Sequence, residues 1–242
     1  CFVSDLHLLA SRSSGARYYD DLHNAAAQSC VFVLGGDIFD FHWADTPIDY
    51  AAWEAAHWLR DLAHAYPRCQ FHYLLGNHDH NDVFIERLVD LDRQVPNLTW
   101  DHHYLRLGSK IFLHGDVLGR NVTAETLTAE RTRLHHHRVR EVWEHQFYDL
   151  AVSAGLHKPV PFVVHPTRIV ARKLLRHLRR IGHGPEAGVR DVYFGHIHRV
   201  ITNYTYRGVR FHSGGAAIRG LQFRILQFPV ELPDRRQSDT QP

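Results

Sequence analysis

Six short apolar runs, each of strand length and most followed at once by polar residues, constrain this chain more than any other feature. They are CFVS (1–4), CVFVLG (30–35), FHYLLG (71–76), KIFLHG (110–115), DVYFGH (191–196) and VRFHSGG (209–215). Their Val, Phe, Tyr and Ile content and frequent glycine endings favour buried strands over helices. A further strand is read at 221–228, LQFRILQF. The stretch 45–67 instead carries Trp53, Ala56, Leu59 or Arg60, and Ala63 at helical spacing, with Pro47 suited to a first turn and Pro67 to its end. Trp and Tyr in 41–58 read as core by the same spacing. Strand–helix alternation predicts an α/β fold with an at least partly parallel sheet and function at the strands' carboxyl ends.

The length of 242 residues suits one large domain or a domain with an insertion, and at 44% hydrophobic the chain can bury a sizeable core. Charge is unevenly spread. Residues 117–188 hold 12 of the 28 Lys+Arg but 6 of the 26 Asp+Glu, a basic segment within an acidic body. Within it, 123–155 reads as one long helix and 165–182 as a second. In the second, Val170, Leu174, Leu178 and Ile181 share a face, and Arg168, Arg172, Arg176, Arg179 and Arg180 spread over the others. The division expected is a catalytic core in two parts (1–116 and 189–230), a lid-like helical insertion (117–188), and a polar tail (231–242) read as disordered. No run approaches the ~18 apolar residues of a membrane span. The chain lacks Met and opens inside an apolar run, so its start says little about a leader. Cys1, Cys30 and Cys69, three scattered cysteines, fit a reducing compartment and small core positions.

Five clusters share one design, a strand and then ligand-type residues where it stops. They are Asp5-Leu6-His7; GGDIFD with Asp37 and Asp40; GNHD with Asn77, His78 and Asp79; HGD with His114 and Asp116; and GHIH with His196 and His198. Strand ends of one sheet converge in space, and gathered Asp, Asn and His without sulfur suit divalent Mn, Fe, Zn or Ni. Asp5, His7, Asp37, Asn77, His114, His196 and His198 make seven ligands, more than one ion of this type takes. Two ions sharing Asp37 would use them, and such a pair can clamp a phosphate for in-line attack.

This ordered set of D-x-H, G-D-x-x-D, G-N-H-D, H-G-D and G-H-x-H resembles the calcineurin-like metallophosphoesterases over residues 1 to about 215, the insertion excluded. The resemblance implies an αββα sandwich, two face-to-face mixed β-sheets flanked by helices, with a dinuclear centre. It places Asp5, His7, Asp37 and His198 on one metal and Asp37, Asn77, His114 and His196 on the other. His78 becomes the group that protonates the leaving oxygen or stabilises the transition state. Asp79 would orient His78, and Asp40 and Asp116 would support the ligands from behind.

The helical insertion after HGD and the GDIFDF wording also resemble UDP-2,3-diacylglucosamine hydrolases of lipid A biosynthesis, although this chain carries His78 where that subgroup has Arg. That resemblance implies a pyrophosphatase acting on a phosphorylated lipid, cytoplasmic and peripheral at the inner membrane face through the basic insertion. Arg12, Arg17, Arg131 and Arg138 are the candidates for substrate phosphate. The tract LHHHRVR (134–140) reads as a solvated helix face. A nucleotide phosphodiesterase or nuclease is the alternative within the class, although no basic stripe with interleaved aromatics marks the core and nucleic acid is disfavoured. The alternative of another class is a non-catalytic scaffold that keeps the fold.

Overall fold

The computed structural model describes residues 1–119, 122–136 and 166–230. Arg138, most of the 134–140 tract and the tail 231–242 lie outside the described residues. The chain is α/β, with two sheets flanked by helices.

The first sheet has strand order β1 (Phe2–Val3), β2 (Val31–Gly35), β3 (Gln70–Leu74), β4 (Leu98–Asp101), every pair parallel. Between these strands lie α1 (Tyr19–Gln28), α2 (Ile48–Ala65) and α3 (Asp82–Gln94). Sequential parallel strands joined by right-handed crossovers put every helix on the same face. The alternation of the strands agrees. Val3, Phe32, Leu34, Phe71 and Tyr73 share one apolar cluster with α1, α2 and α3. Phe2, Val33 and Leu74 belong to another, with Phe112 and Tyr193 of the second sheet. The helix-free face is therefore covered by that second sheet.

The second sheet has strand order β5 (Tyr104–Leu107), β6 (Lys110–Leu113), β7 (Asp191–Phe194), β9 (Val209–Gly214), β8 (Val200–Tyr206). It is mixed, with β6, β7 and β9 parallel and the edge strands β5 and β8 antiparallel to their neighbours. The expectation of two mixed sheets holds for this sheet. The first is wholly parallel, because each of its strands is reached through a helix. Phe112 and Tyr193 stack at 5.0 Å between the sheets, while Ile111, Leu113, Val192 and Phe194 face outward.

On that outer face lie α4 (Ala124–His136) and α5 (Thr167–Arg180). Val170, Ala171, Leu174, Leu175 and Leu178 of α5 are buried in one cluster with the outward residues of β6, β7 and β9, and Leu127 of α4 joins them. The second helix of the segment 117–188 thus covers the sheet as a crossover helix. Asn81 caps α3 by accepting from the backbone N–H of Val83 and Phe84.

Two expectations from the periodicity are corrected. Tyr50 and Trp53, read as core, are exposed and stack in series with His57. The buried stripe of α2 runs through Ala51, Ala52, Ala55, Leu59 and Leu62, so the helix turns small residues toward the sheet. Residues 221–228 form isolated bridges, Phe2 to Leu226 and Gly215 to Phe223, and no regular strand. All three cysteines are free, and Cys30 is exposed.

Candidate metal centre

The five ligand clusters follow the carboxyl ends of β1, β2, β3, β6 and β7, and the structure brings them together. The loops prolong the parallel ladder past the strands: Asp5 N–H donates to Gly36 O, His7 N–H to Asp37 O, and Gly195 N–H to His114 O. Five of the candidate ligand residues then turn with left-handed backbone: Asp5 (φ 55°), His7 (49°), Asp37 (53°), His196 (68°) and His198 (53°). Among the described residues only three other non-glycine positions do so, Leu9, Asn203 and Arg207. The conformation costs roughly 1–3 kcal/mol at a non-glycine residue and gathers at functional sites. Here it swings each side chain back over its strand's end.

Glycine permits the crowding that results. A Cβ on Gly76 would lie 2.2 Å from Asp37 Oδ1, and one on Gly195 would lie 2.2 Å from Asp5 Oδ2. No rotamer change relieves a clash between backbone and a carboxylate held on both sides.

Asp5, His7, Asp37 and His198 place one ligand atom each within 4.8 Å of the others. His7 Nε2 faces His198 Nε2 at 3.1 Å, and His198 Nε2 lies 3.4 Å from Asp5 Oδ1. Beside this group, His114 Nε2 sits 3.2 Å from Asp37 Oδ2 and 3.1 Å from Asn77 Oδ1. His196 Nδ1 is 3.0 Å from the same Asn77 oxygen. Asp37 therefore touches both groups.

The tautomers are legible from the supporting bonds. Asp40 can only accept, so His7 Nδ1–H donates to its Oδ2 at 3.0 Å and the His7 Nε2 lone pair points inward. His114 Nδ1–H donates to Gly35 O at 3.2 Å, which leaves its Nε2 lone pair facing two oxygens.

This arrangement is short of positive charge. Asp5 and Asp37 are buried, and among the described residues no Lys or Arg contacts either. Asp37 Oδ2 meets only the His114 ring, at 3.2 Å, and no backbone donor. Burial would raise the Asp37 carboxyl, yet His114 and His78 beside it hold it well below the usual carboxylate range. Burial would lower His114, yet the Asp37 charge pushes it up to about 10. The donor set fits a divalent metal on these grounds: buried carboxylates without fixed countercharge among the described residues, and imidazole nitrogens turned toward them.

A neighbouring trio, His7, Asp40 and His78, is also close enough to hold an ion. It has its countercharge already, because Arg12 donates to Asp40 Oδ2 at 2.7 Å. Asp40 Oδ1 accepts from His78 Nδ1 at 2.8 Å, and the His78 N–H donates to Asp37 Oδ1 at 2.8 Å. Burial alone would lower His78, but the Asp40 and Asp37 carboxylates override it and hold its pKa above the ordinary value. The side chain keeps 17% exposure, so a small molecule can reach it.

Several supporting roles differ from expectation. Asp79 does not orient the His78 ring. Its carboxylate accepts from Gly76 N–H (2.6 Å), Tyr73 O–H (2.6 Å) and Ile38 N–H (3.1 Å), which ties the loops after β2 and β3 to the sheet. Asp40 does the orienting. Arg131 does not reach for substrate. It is 1% exposed, forked onto both Asp116 oxygens at 2.7 and 2.9 Å, and bonded to His102 O. Arg12 is turned onto Asp40 in the same way and lies over the Trp43 ring. Arg17 is exposed on the turn Gly15–Tyr18, and no contact joins it to the cluster. Sequence reasoning missed Tyr73 as the support of Asp79; its place in an apolar strand run marked it only as core.

No family model and no curated protein matches this chain. One solved structure aligns over 89% of this chain and 89% of its own at 9% identity, with a TM-score of 0.41. A likeness that slight carries no argument about function. Among the described residues, no helix is long and apolar enough to cross a membrane.

Proposed function

We propose that this chain hydrolyses a phosphoester or pyrophosphate bond with two divalent metal ions, Mn2+ first among them, as a calcineurin-like metallophosphoesterase with the αββα sandwich of that family. One observation carries the reading: buried Asp5 and Asp37, with no permanent cation in contact among the described residues, sit where imidazoles from two other strand ends converge with His7. Asp5, His7, Asp37 and His198 would hold one ion, and Asp37, Asn77, His114 and His196 the other. When bound, the ions supply charge neutralisation for a phosphate and a nucleophile derived from water.

The chain's own residues do the rest. Asp40 fixes the His7 ring as a ligand and the His78 ring as a proton carrier, joining the two roles through one carboxylate. With Nδ1 on Asp40, His78 offers Nε2 to the leaving oxygen and donates its proton there. The His78 charge and the bonds from the His7 and His78 rings hold the Asp40 carboxyl well below its usual range against burial, and Arg12 adds a salt bridge at 2.7 Å.

The substrate we propose is a lipid-linked nucleotide sugar such as UDP-2,3-diacylglucosamine, cut at its pyrophosphate. Support for that choice is the wording of GDIFDF and the place of the helical segment after HGD. The test is Mn-dependent hydrolysis of a generic aryl phosphodiester, lost in His114→Ala. No turnover with any divalent metal would leave a non-catalytic scaffold. Release of UMP from the UDP-linked diacyl sugar supports the substrate; its absence, with the diester still cleaved, leaves a nucleotide phosphodiesterase or nuclease.

A further inference from the structure

The outer side of the second sheet carries a concentration of cations that the chemistry above does not use. Over its 14 residues α5 bears Arg168, Arg172, Lys173, Arg176, Arg179 and Arg180 and no acidic residue. Like charges at i,i+4 spacing destabilise a helix by a few tenths of a kcal/mol per pair. Arg168–Arg172 and Arg172–Arg176 are such pairs, and no acidic residue in the first turn complements the helix dipole. The helix holds because its apolar face is anchored in the sheet cluster. Its polar face is a local conflict of the kind that marks a binding surface.

Part of that face is concave. A hollow of about 310 Å³ lies between α5 and the β8–β9 turn, lined by Arg172, Arg176, Arg179, Arg207, Leu175 and Tyr206. Four of its six lining residues are arginines. Among the described residues Arg172 and Arg176 have no hydrogen-bond or ion-pair partner. Arg179 shares Glu186 at the rim, at 2.8 Å, and Arg207 lies over the Tyr206 ring, 5.6 Å from its centroid.

Both walls are rigid. Leu175 is buried beneath the helix side. On the other side Arg207 (φ 50°) and Gly208 (φ 78°) close a tight two-residue hairpin, in which left-handed backbone at both positions matches the strand twist.

We infer that this hollow is a binding site for a phosphate-bearing anion, separate from the candidate metal centre. Guanidinium forks match phosphate oxygens in pairs, and several round one recess outcompete water for a multiply charged anion far better than for a carboxylate. Topology sets the separation. The hairpin precedes β9 and so lies at the amino ends of β7 and β9, whereas His196 and His198 follow the carboxyl end of β7. The hollow therefore does not face the reacting bond. It serves to hold the protein at a phosphate-bearing surface or to sense a free phosphate, and it stands whether or not the metal centre hydrolyses anything.

The experiment uses the full chain with excess chelator, which removes metal-bridged phosphate from the readout. Inorganic pyrophosphate is titrated by calorimetry, and vesicles of phosphatidylcholine with phosphatidylglycerol are co-sedimented at moderate salt. Arg172→Glu/Arg176→Glu is compared with Arg87→Glu/Arg93→Glu, which makes the same charge change on two exposed positions of α3. Binding to either probe, weakened at least tenfold by the α5 pair and less than threefold by the α3 pair, supports the site. Vesicles alone identify a lipid headgroup, and pyrophosphate in solution identifies a free phosphate. No binding of either probe, or equal losses in both double variants, overturns it.

Discussion

Asp40 is the residue on which the two proposed functions meet, and substitutions there and at its neighbour tell them apart. In His78→Ala we expect kcat on an aryl phosphodiester to fall about 10²–10⁴-fold, the scale of one positioned proton donor. The gain in thermal stability on adding Mn2+ should persist, because no proposed ligand is lost. Asp40→Asn should weaken both. Mn2+ affinity, measured by titration, should drop about 10–100-fold as His7 loses its orienting partner, and turnover should fall with it. If Asp40→Asn lowered turnover with Mn2+ affinity intact, the role assigned to the His7–Asp40 bond would be wrong. At this scale the sequence was informative about residue identity and silent about conformation. Asp, Asn and His after apolar runs mark ligands by type. Nothing in Asp5 or His198 announces a positive φ, since the loops impose it through bonds such as Asp5 N–H to Gly36 O. Arginine misled for a related reason. Arg12 and Arg131 read as phosphate contacts because their carboxylate partners are 28 and 15 residues away, a pairing that no local pattern records.

Helices and strands here are fastened by a few buried ion pairs, and these carry stability rather than catalysis. Arg131 ties α4 to the end of β6 through Asp116. Burial would raise that carboxyl, but the Arg131 charge holds it well below its usual range. Asp116→Asn leaves a buried guanidinium unpaired and should cost about 3–5 kcal/mol in denaturant unfolding. A raised KM with unchanged stability would instead restore a substrate role for Arg131. The pair across β7 and β9 gives a pH dependence. Asp191 accepts from Arg210 twice at 2.7 Å and from His212 at 3.0 Å, and against the effect of burial these bonds lower its pKa. A depressed carboxyl stabilises the fold above its unfolded pKa of about 3.9 and loses that contribution as pH falls through the folded value. Arg210 is 54% exposed, so Asp191→Asn should cost only about 1 kcal/mol at pH 7. The gap to the parent chain should close in urea melts below about pH 4, and a gap that stays constant with pH would refute the linkage. The elements missed in the sequence are edges. Strand β4 alternates buried and accessible residues, β5 is half-buried throughout, and β8 is mostly accessible. None presents an apolar run, whereas the central strands do.

For the molecule as a whole, the two sheets are joined at their carboxyl ends by the candidate ligands, so metal and fold should be thermodynamically linked. Mn2+ at 100 times its dissociation constant should stabilise the chain by about 2.7 kcal/mol, a rise in Tm of roughly 5–10 °C for a chain of this size. Chelator should reverse it, and His114→Ala should abolish most of it. A Tm indifferent to every divalent metal would count against the centre itself. The α/β core was legible because the central strands are apolar runs that demand cover on both sides, while the second sheet was expected only from the family resemblance. Which layer α5 belongs to was not legible, since an apolar stripe on a helix does not name the surface it meets. The left-handed turns at residues 5, 7, 37, 196 and 198 carry a last implication, one about ancestry. Such geometry is unfavourable for side chains and easy for glycine, so on the proposed function it is the chemistry that keeps aspartate and histidine there. Were that selection relaxed in some descendant lineage, drift should install glycine at these five places early. His198→Gly should already melt higher than His198→Ala, even though both would be silent as enzymes.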